Sequence, residues 1–255
     1  MKLFILIFLF MVSAYSFGNQ TSTEQNEEVT KIVKINQLLE LFEVDEWIDY
    51  VKRVKNDELI PAYFSYSEPS TFERNILIKY DLTGYASGII KQFNKHLTTN
   101  ELRASIELFK RPFLIKTLKK LDNISFDYSQ IVSESKGISL SDSRSNLIRS
   151  IYNLTSMQVI VDYEFKKYQL LVTHITKTKE ILKNDKKTVA SKDKVIELDP
   201  KRFMGLVIIS INNELSKYKD VELAEFIRIL KKSKDGQKSI QVYRTFNYLY
   251  SQKFI

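Results

Sequence analysis

Apolar residues return at every third or fourth position through most of this chain. That spacing constrains the fold more than any other feature, because it gathers side chains on one face of a helix and would scatter them over both faces of a strand. Ile32, Ile35, Leu38, Leu39 and Phe42 make the first stripe. Val44, Trp47, Ile48, Val51 and Val54 make the second, with a turn expected near Val44-Asp45. Six glycines and four prolines in 255 residues leave few places to interrupt helices, so the chain reads as all-α.

The punctuation agrees with the period. Pro61 and Pro69 bracket an irregular segment, after which Ser70-x-x-Glu73 has the form of a capping box, and Thr98-x-x-Glu101 repeats it. Gly84 and Gly88 either permit close helix contact or end a helix, Pro112 should stop or restart one, and Asp199-Pro200 offers an N-cap with proline at the first helical position. Helical spacing from Leu147 runs on through Met157, Ile160 and Val161 toward Leu171. Asp235-Gly236 reads as a turn, and the lysine-rich insertion near 177–199 as a surface loop or a helix end.

The N-terminus is of another kind. Met1-Lys2, the apolar run Leu3 to Val12 and the small residues Ala14 and Ser16 form a cleavable export signal over 1–16, since the run is far short of the about 20 apolar residues a membrane span needs. A periplasmic or secreted location is expected, with no transmembrane segment in the mature chain. Residues 17–28 are polar and acidic and read as a flexible N-terminus. With no cysteine to form disulfides, stability has to come from a packed core.

The formal charge of +8 is unevenly placed. Phe17 to Leu140 holds 16 basic and 18 acidic residues, whereas Ser141 to Ile255 holds 22 and 13. A basic half steers toward anionic partners or simply keeps the surface solvated. Lys183, Lys186, Lys187, Lys192 and Lys194 are the candidate contacts to an anionic envelope component; another protein is the alternative partner, and nucleic acid is disfavoured for an exported chain.

The two halves can be laid over each other. Ile35, Leu38, Leu39, Leu41, Val44, Trp47 and Ile48 match Ile148, Ile151, Tyr152, Leu154, Met157, Ile160 and Val161 in order and spacing, and further on Gly84 meets Gly205 and Glu101-Leu102 meets Glu222-Leu223. The organisation expected is two related small helical bundles, 29–121 and 143–255, joined by a Ser- and Asp-rich linker over 122–142 in which Ser125 to Val132 has the character of a short strand. Whether the bundles share a core is left open.

At these residues the chain resembles a helical domain of exported bacterial proteins known only as a domain of unknown function. That family has an early Leu-Leu helix, then a Thr-x-x-Glu-Leu start leading to a Ser-Pro-x-Gly-x-Lys type end. Thr98, Glu101, Leu102, Phe109, Pro112 and Lys116 resemble this end in the first half, and Glu222, Leu223, Leu230, Ser233, Gly236 and Lys238 in the second. The first copy lacks the glycine, and the second has Lys234 in place of the proline. The resemblance implies an exported helical fold and no particular reaction.

No catalytic, cofactor-binding or metal-binding constellation stands out. His96 and His174 are far apart and lack ligand spacing, and nucleophile elbows and phosphate loops are absent. The expectation is a non-enzymatic binding or structural module of the cell envelope. The alternative is a carboxylate-dependent hydrolase of an envelope polymer, which would need two acidic side chains in one cleft at roughly 5 to 9.5 Å.

Overall fold

In the computed structural model, which describes residues 22–61, 66, 68–69, 71–122, 124, 140–184 and 200–254, the first two stripes fold as α1 (Ser22–Leu41) and α2 (Val44–Lys55). They are separated by Glu43, whose backbone takes the left-handed conformation at φ 55°. Next come α3 (Thr71–Leu77), α4 (Leu82–His96), α5 (Thr99–Phe109) and α6 (Pro112–Asp122). The later part of the chain gives α7 (Asp142–Leu154), α8 (Met157–Asn184), α9 (Pro200–Glu214), α10 (Asp220–Lys232) and α11 (Lys234–Ser251), closed by a 3₁₀ turn at Gln252–Phe254. The all-α class holds, with no strand among the described residues.

Each start has a local cause. Thr98 accepts from Glu101 N while Glu101 accepts from Thr98 N at 2.6 Å, a complete capping box. Glu222 likewise accepts from Lys219 N at 2.7 Å. Asp81 caps α4 through Gly84 N, and Ser141 caps α7 through Arg144 N. Pro112 opens α6, where its missing N–H is no loss.

Three sequence expectations are corrected. Residues 22–28 are helical: α1 extends as a solvated end beyond its buried stripe, with Asn26 to Thr30 exposed. Helical spacing across 147–171 is interrupted at Ser156, left-handed at φ 53°, which splits α7 from α8. Of the two readings of the lysine-rich stretch the helix end holds for Lys177 to Lys183, which continue α8, whereas 185–199 lie outside the described residues. Asp235-Gly236 forms the first turn of α11, with Gly236 N donating to Ser233 Oγ at 3.2 Å; a glycine near an N-cap serine began a helix where the dipeptide alone suggested a turn. The export signal and Ser125 to Val132 lie outside the described residues.

One continuous core runs through the helices, from Ile35, Leu38 and Val51 to Phe93, Leu102 and Phe109 and on to Ile148, Val207, Leu223 and Phe226. In the first half α1 packs on α4 and α5; in the second α7 packs on α9 and α10. The halves interlock at their ends. Helix α11 lies against α4 and α5, and α6 reaches across to α9. Ser105 on α5 and Ser239 on α11, both fully buried, hydrogen-bond at 2.7 Å along this seam. Arg244, 2% exposed, donates to the Thr155 carbonyl and, at 2.6 Å, to Asp122 Oδ1, tying α11 to the end of α6 and to the break between α7 and α8.

Candidate functional site

Helices α2, α3 and α8 and the end of α6 surround a cavity of about 310 Å³. Trp47 and Tyr50 enter it from α2, Tyr66 and Glu68 from the segment between α2 and α3, Glu73 from α3, Asp122 from α6, and Tyr163, Glu164 and Lys167 from α8. The helical repeat explains the α8 set, since Glu164 and Lys167 are one turn apart. The volume is at the lower end for pockets that hold small molecules. Its rings are fixed by one another: Tyr50 stacks on Tyr66 at 4.8 Å, and Trp47 lies 4.4 Å from Tyr85 and 5.4 Å from Tyr80.

Lys167 organises the charge. Its Nζ lies 3.1 Å from Glu164 Oε1, 3.5 Å from Glu73 Oε1 and 5.4 Å from the centre of the Tyr163 ring. The two carboxylate oxygens are therefore within 6.6 Å of each other, the limit set by adding their distances to one nitrogen. Lys167 and Glu164 are each 14% exposed in their side chains and Glu73 45%. Burial raises the Glu164 carboxyl above its ordinary value, with Glu73 adding to the rise and Lys167 opposing it. Burial alone would lower Lys167, but Glu164 and Glu73 outweigh it and hold the ammonium above its usual value. The Tyr50 hydroxyl is pushed up to about 12 by burial and by Glu73 and Glu68, so it stays a neutral donor. Tyr163 is raised as well, by burial and Glu164.

The other carboxylates of the lining lie near arginines, one of which, Arg74, pairs more closely with Asp57 at 2.5 Å. Glu68 lies 3.9 Å from Arg74 and accepts from Ile60 N at 3.0 Å, and Asp122 pairs with Arg244.

The residues singled out from sequence lie elsewhere. Glu101 and Glu222 do the capping assigned to them, and Glu101 also meets Lys238 at 2.7 Å. His96 sits exposed in the last turn of α4. Lys183 is in the last turns of α8, whose side chain is not described there, and Lys186, Lys187, Lys192 and Lys194 fall outside the described residues. Among the described residues no three His, Asp or Glu side chains are grouped as a metal ion would need, and no helix is long and apolar enough to cross a membrane.

Sequence reasoning missed the cavity. Glu73 was read only as the end of a capping box, and Glu164 and Lys167 were not singled out at all. A signal was available: Glu164 follows Met157, Ile160 and Val161 on the buried face of α8, where a charge is out of place. The chain matches no known protein family, no curated protein and no solved structure.

Proposed function

We propose that the protein is an exported, non-enzymatic binding module of the cell envelope, and that its ligand occupies the cavity between α2, α3 and α8. The observation that carries this reading is the position of Lys167. A hydrolase working with two carboxylates needs the scissile bond between them; here the gap between Glu73 and Glu164 is bridged by an ammonium that both hold. What remains open to a ligand is the aromatic side of the cavity, with polar groups around it to set orientation.

Trp47 is the single tryptophan of the chain and lines the cavity, so its emission reports occupancy directly. Titrating the protein with small cations, sugars and carboxylic acids should change that emission saturably for one class. The competing reading, a hydrolase of an envelope polymer, draws on the convergence of Glu73 and Glu164 within one cavity. Hydrolysis of envelope polysaccharide that is lost in both Glu73→Gln and Glu164→Gln would replace the binding reading with that one.

Three further parts of the proposal rest on other features of the chain. Descent of the halves from one helical unit, of the kind the chain resembles, is favoured by devices that recur in the same order. Glu43 and Ser156 are both left-handed. Glu101 and Glu222 both accept from the backbone N–H at their helix starts. Lys31 on α1 donates to the Asn94 carbonyl near the end of α4, as Arg144 on α7 does to the Leu215 carbonyl after α9. Export rests on residues 1–16, and N-terminal sequencing of the exported protein should begin at or near Phe17. Adhesion to anionic surfaces is assigned to Lys183, Lys186, Lys187, Lys192 and Lys194; changing all five to Gln should reduce sedimentation with anionic vesicles at low salt.

A further inference from the structure

The wall behind Trp47 is completed by residues far from the cavity in sequence. Tyr80, just after α3, is 3% exposed; its ring lies 5.4 Å from that of Trp47 and stacks on Phe254 at 4.6 Å. Its hydroxyl donates to Ser251 Oγ, and Tyr163 of the cavity lining interacts with the same two hydroxyls. The 3₁₀ turn Gln252–Phe254 and the serine before it thus bear on Tyr80, and Tyr80 bears on two residues of the lining, Trp47 and Tyr163. The turn itself is lightly held. None of its three residues is buried, and Lys253 lies exposed over the Tyr250 ring at 4.6 Å. Helix α11 before it, by contrast, sends Ile240, Tyr243 and Arg244 into the core. Segments with few buried contacts open at a small part of the free energy of global unfolding.

We propose that Gln252–Phe254 is a strap that governs access to the cavity: docked on Tyr80 it holds Trp47 and Tyr163 in place, and lifted it lets that wall move and admits solutes past Trp47. Lifting removes the stacked ring and the hydroxyl partner of Tyr80 while the helices stay packed. Lys55 donates to the Tyr80 carbonyl at 2.7 Å and keeps the backbone fixed at this point, so the strap acts on the side chain. The inference rests on the binding reading above for its use to the protein and adds the means by which the site opens. Access to Trp47 is measured without a ligand, so either reading can fail alone.

The test uses acrylamide, a small neutral quencher, as the probe of access to Trp47, the single tryptophan. Phe254→Ala should raise the quenching constant about twofold and move the emission to longer wavelength, because the strap then spends more time lifted. Ser251→Ala, which removes only a hydroxyl, should do the same to a smaller extent. Phe254→Tyr keeps the stacked ring and should restore the parent value, and Leu249→Ala, at an exposed position of α11, should change nothing. Hydrogen exchange on the parent protein needs no variant: the amides of Lys253 and Phe254 should exchange faster than those of Tyr243 and Arg244. Circular dichroism and thermal melting establish that each variant is folded; if Phe254→Ala is not, Ser251→Ala and the exchange rates decide. A lower melting temperature in Phe254→Ala with quenching unchanged would make the turn simple packing and overturn the proposal. So would exchange at Lys253 and Phe254 as slow as at Tyr243. Failure of every small molecule to move Trp47 emission would remove the binding reading, whereas the quenching series decides the strap by itself.

Discussion

Replacing Arg244 by Met should destabilise the protein by about 2–3 kcal/mol, and the structure shows why the loss is neither smaller nor larger. Arg244 is 2% exposed, and its guanidinium donates to the Thr155 carbonyl and to Asp122. Removing one partner of a buried ion pair costs about 3–5 kcal/mol when the other charge is left without compensation. Asp122, however, is 34% exposed in its side chain, so water recovers part of that loss. Methionine keeps most of the apolar contact of the arginine stem, which confines the change to charge and hydrogen bonding. For a chain of this size the melting temperature should fall by roughly 5–10 °C. Urea unfolding followed by far-UV circular dichroism measures the free energy. The Asp122→Asn variant, alone and combined with Arg244→Met, isolates the pair: the double variant should lose about 1–2 kcal/mol less than the sum of the single ones. Arg244→Met within about 0.5 kcal/mol of the parent, or strict additivity of the two changes, would refute the view that this arginine ties α11 to α6 and to the break between α7 and α8.

Two more perturbations follow from single contacts. Lys238 and the Thr98 N–H hold the Glu101 carboxyl down to about 2 against an ordinary value of 4.5. Its folded value lies below its unfolded one, so this contribution is fully present above pH 4.5 and is lost as the pH falls toward 2. Because Glu101 lies at the surface, Glu101→Gln should cost only about 1 kcal/mol at pH 7, and parent and variant should converge in acid unfolding experiments near pH 2. In α9, a Cβ on Gly205 would meet nothing within 4 Å, so Gly205→Ala should raise stability by about 0.5–1 kcal/mol. In α4, a Cβ on Gly88 would come within 3.0 Å of the Phe246 ring, so Gly88→Ala should lower the melting temperature by separating α4 from α11.

The helices were legible because most of them carry a stripe that one buried face satisfies. Leu223, Phe226, Ile227 and Leu230 predicted α10, and all four are buried. Start signals were legible where a side chain meets a backbone donor three residues away, as at Thr98 and Glu101. Two kinds of feature were not. Ser156 interrupts a helix without glycine or proline, because Thr155 and Met157 are both drawn into the core and the chain turns between them. The cavity was hidden for a different reason. Glu73 and Lys167 are 94 positions apart, and ordinary surface residues of either type would look the same in sequence. The difference appears only on comparing α2 with α8 in the register that matches Val44 to Met157: Val51 and Val54, buried in α2, correspond to Glu164 and Lys167. Charged side chains at positions where the other half has valine mark a face that does not pack as plain core.

The seam between α5 and α11 also sets the order in which the molecule can be finished. Ser105 meets Ser239 across 134 residues, and Tyr80 meets Ser251 across 171. The groove formed by α4 and α5 is thus covered by a helix that leaves the ribosome long after they do, and α6 in turn waits for α9. An early fragment would hold apolar surface open to solvent and would be prone to bind other chains in the interval. Contacts of such long range also slow folding, since each closes a large loop before it stabilises anything. A chain built in this way completes its core only once nearly all of it has been made.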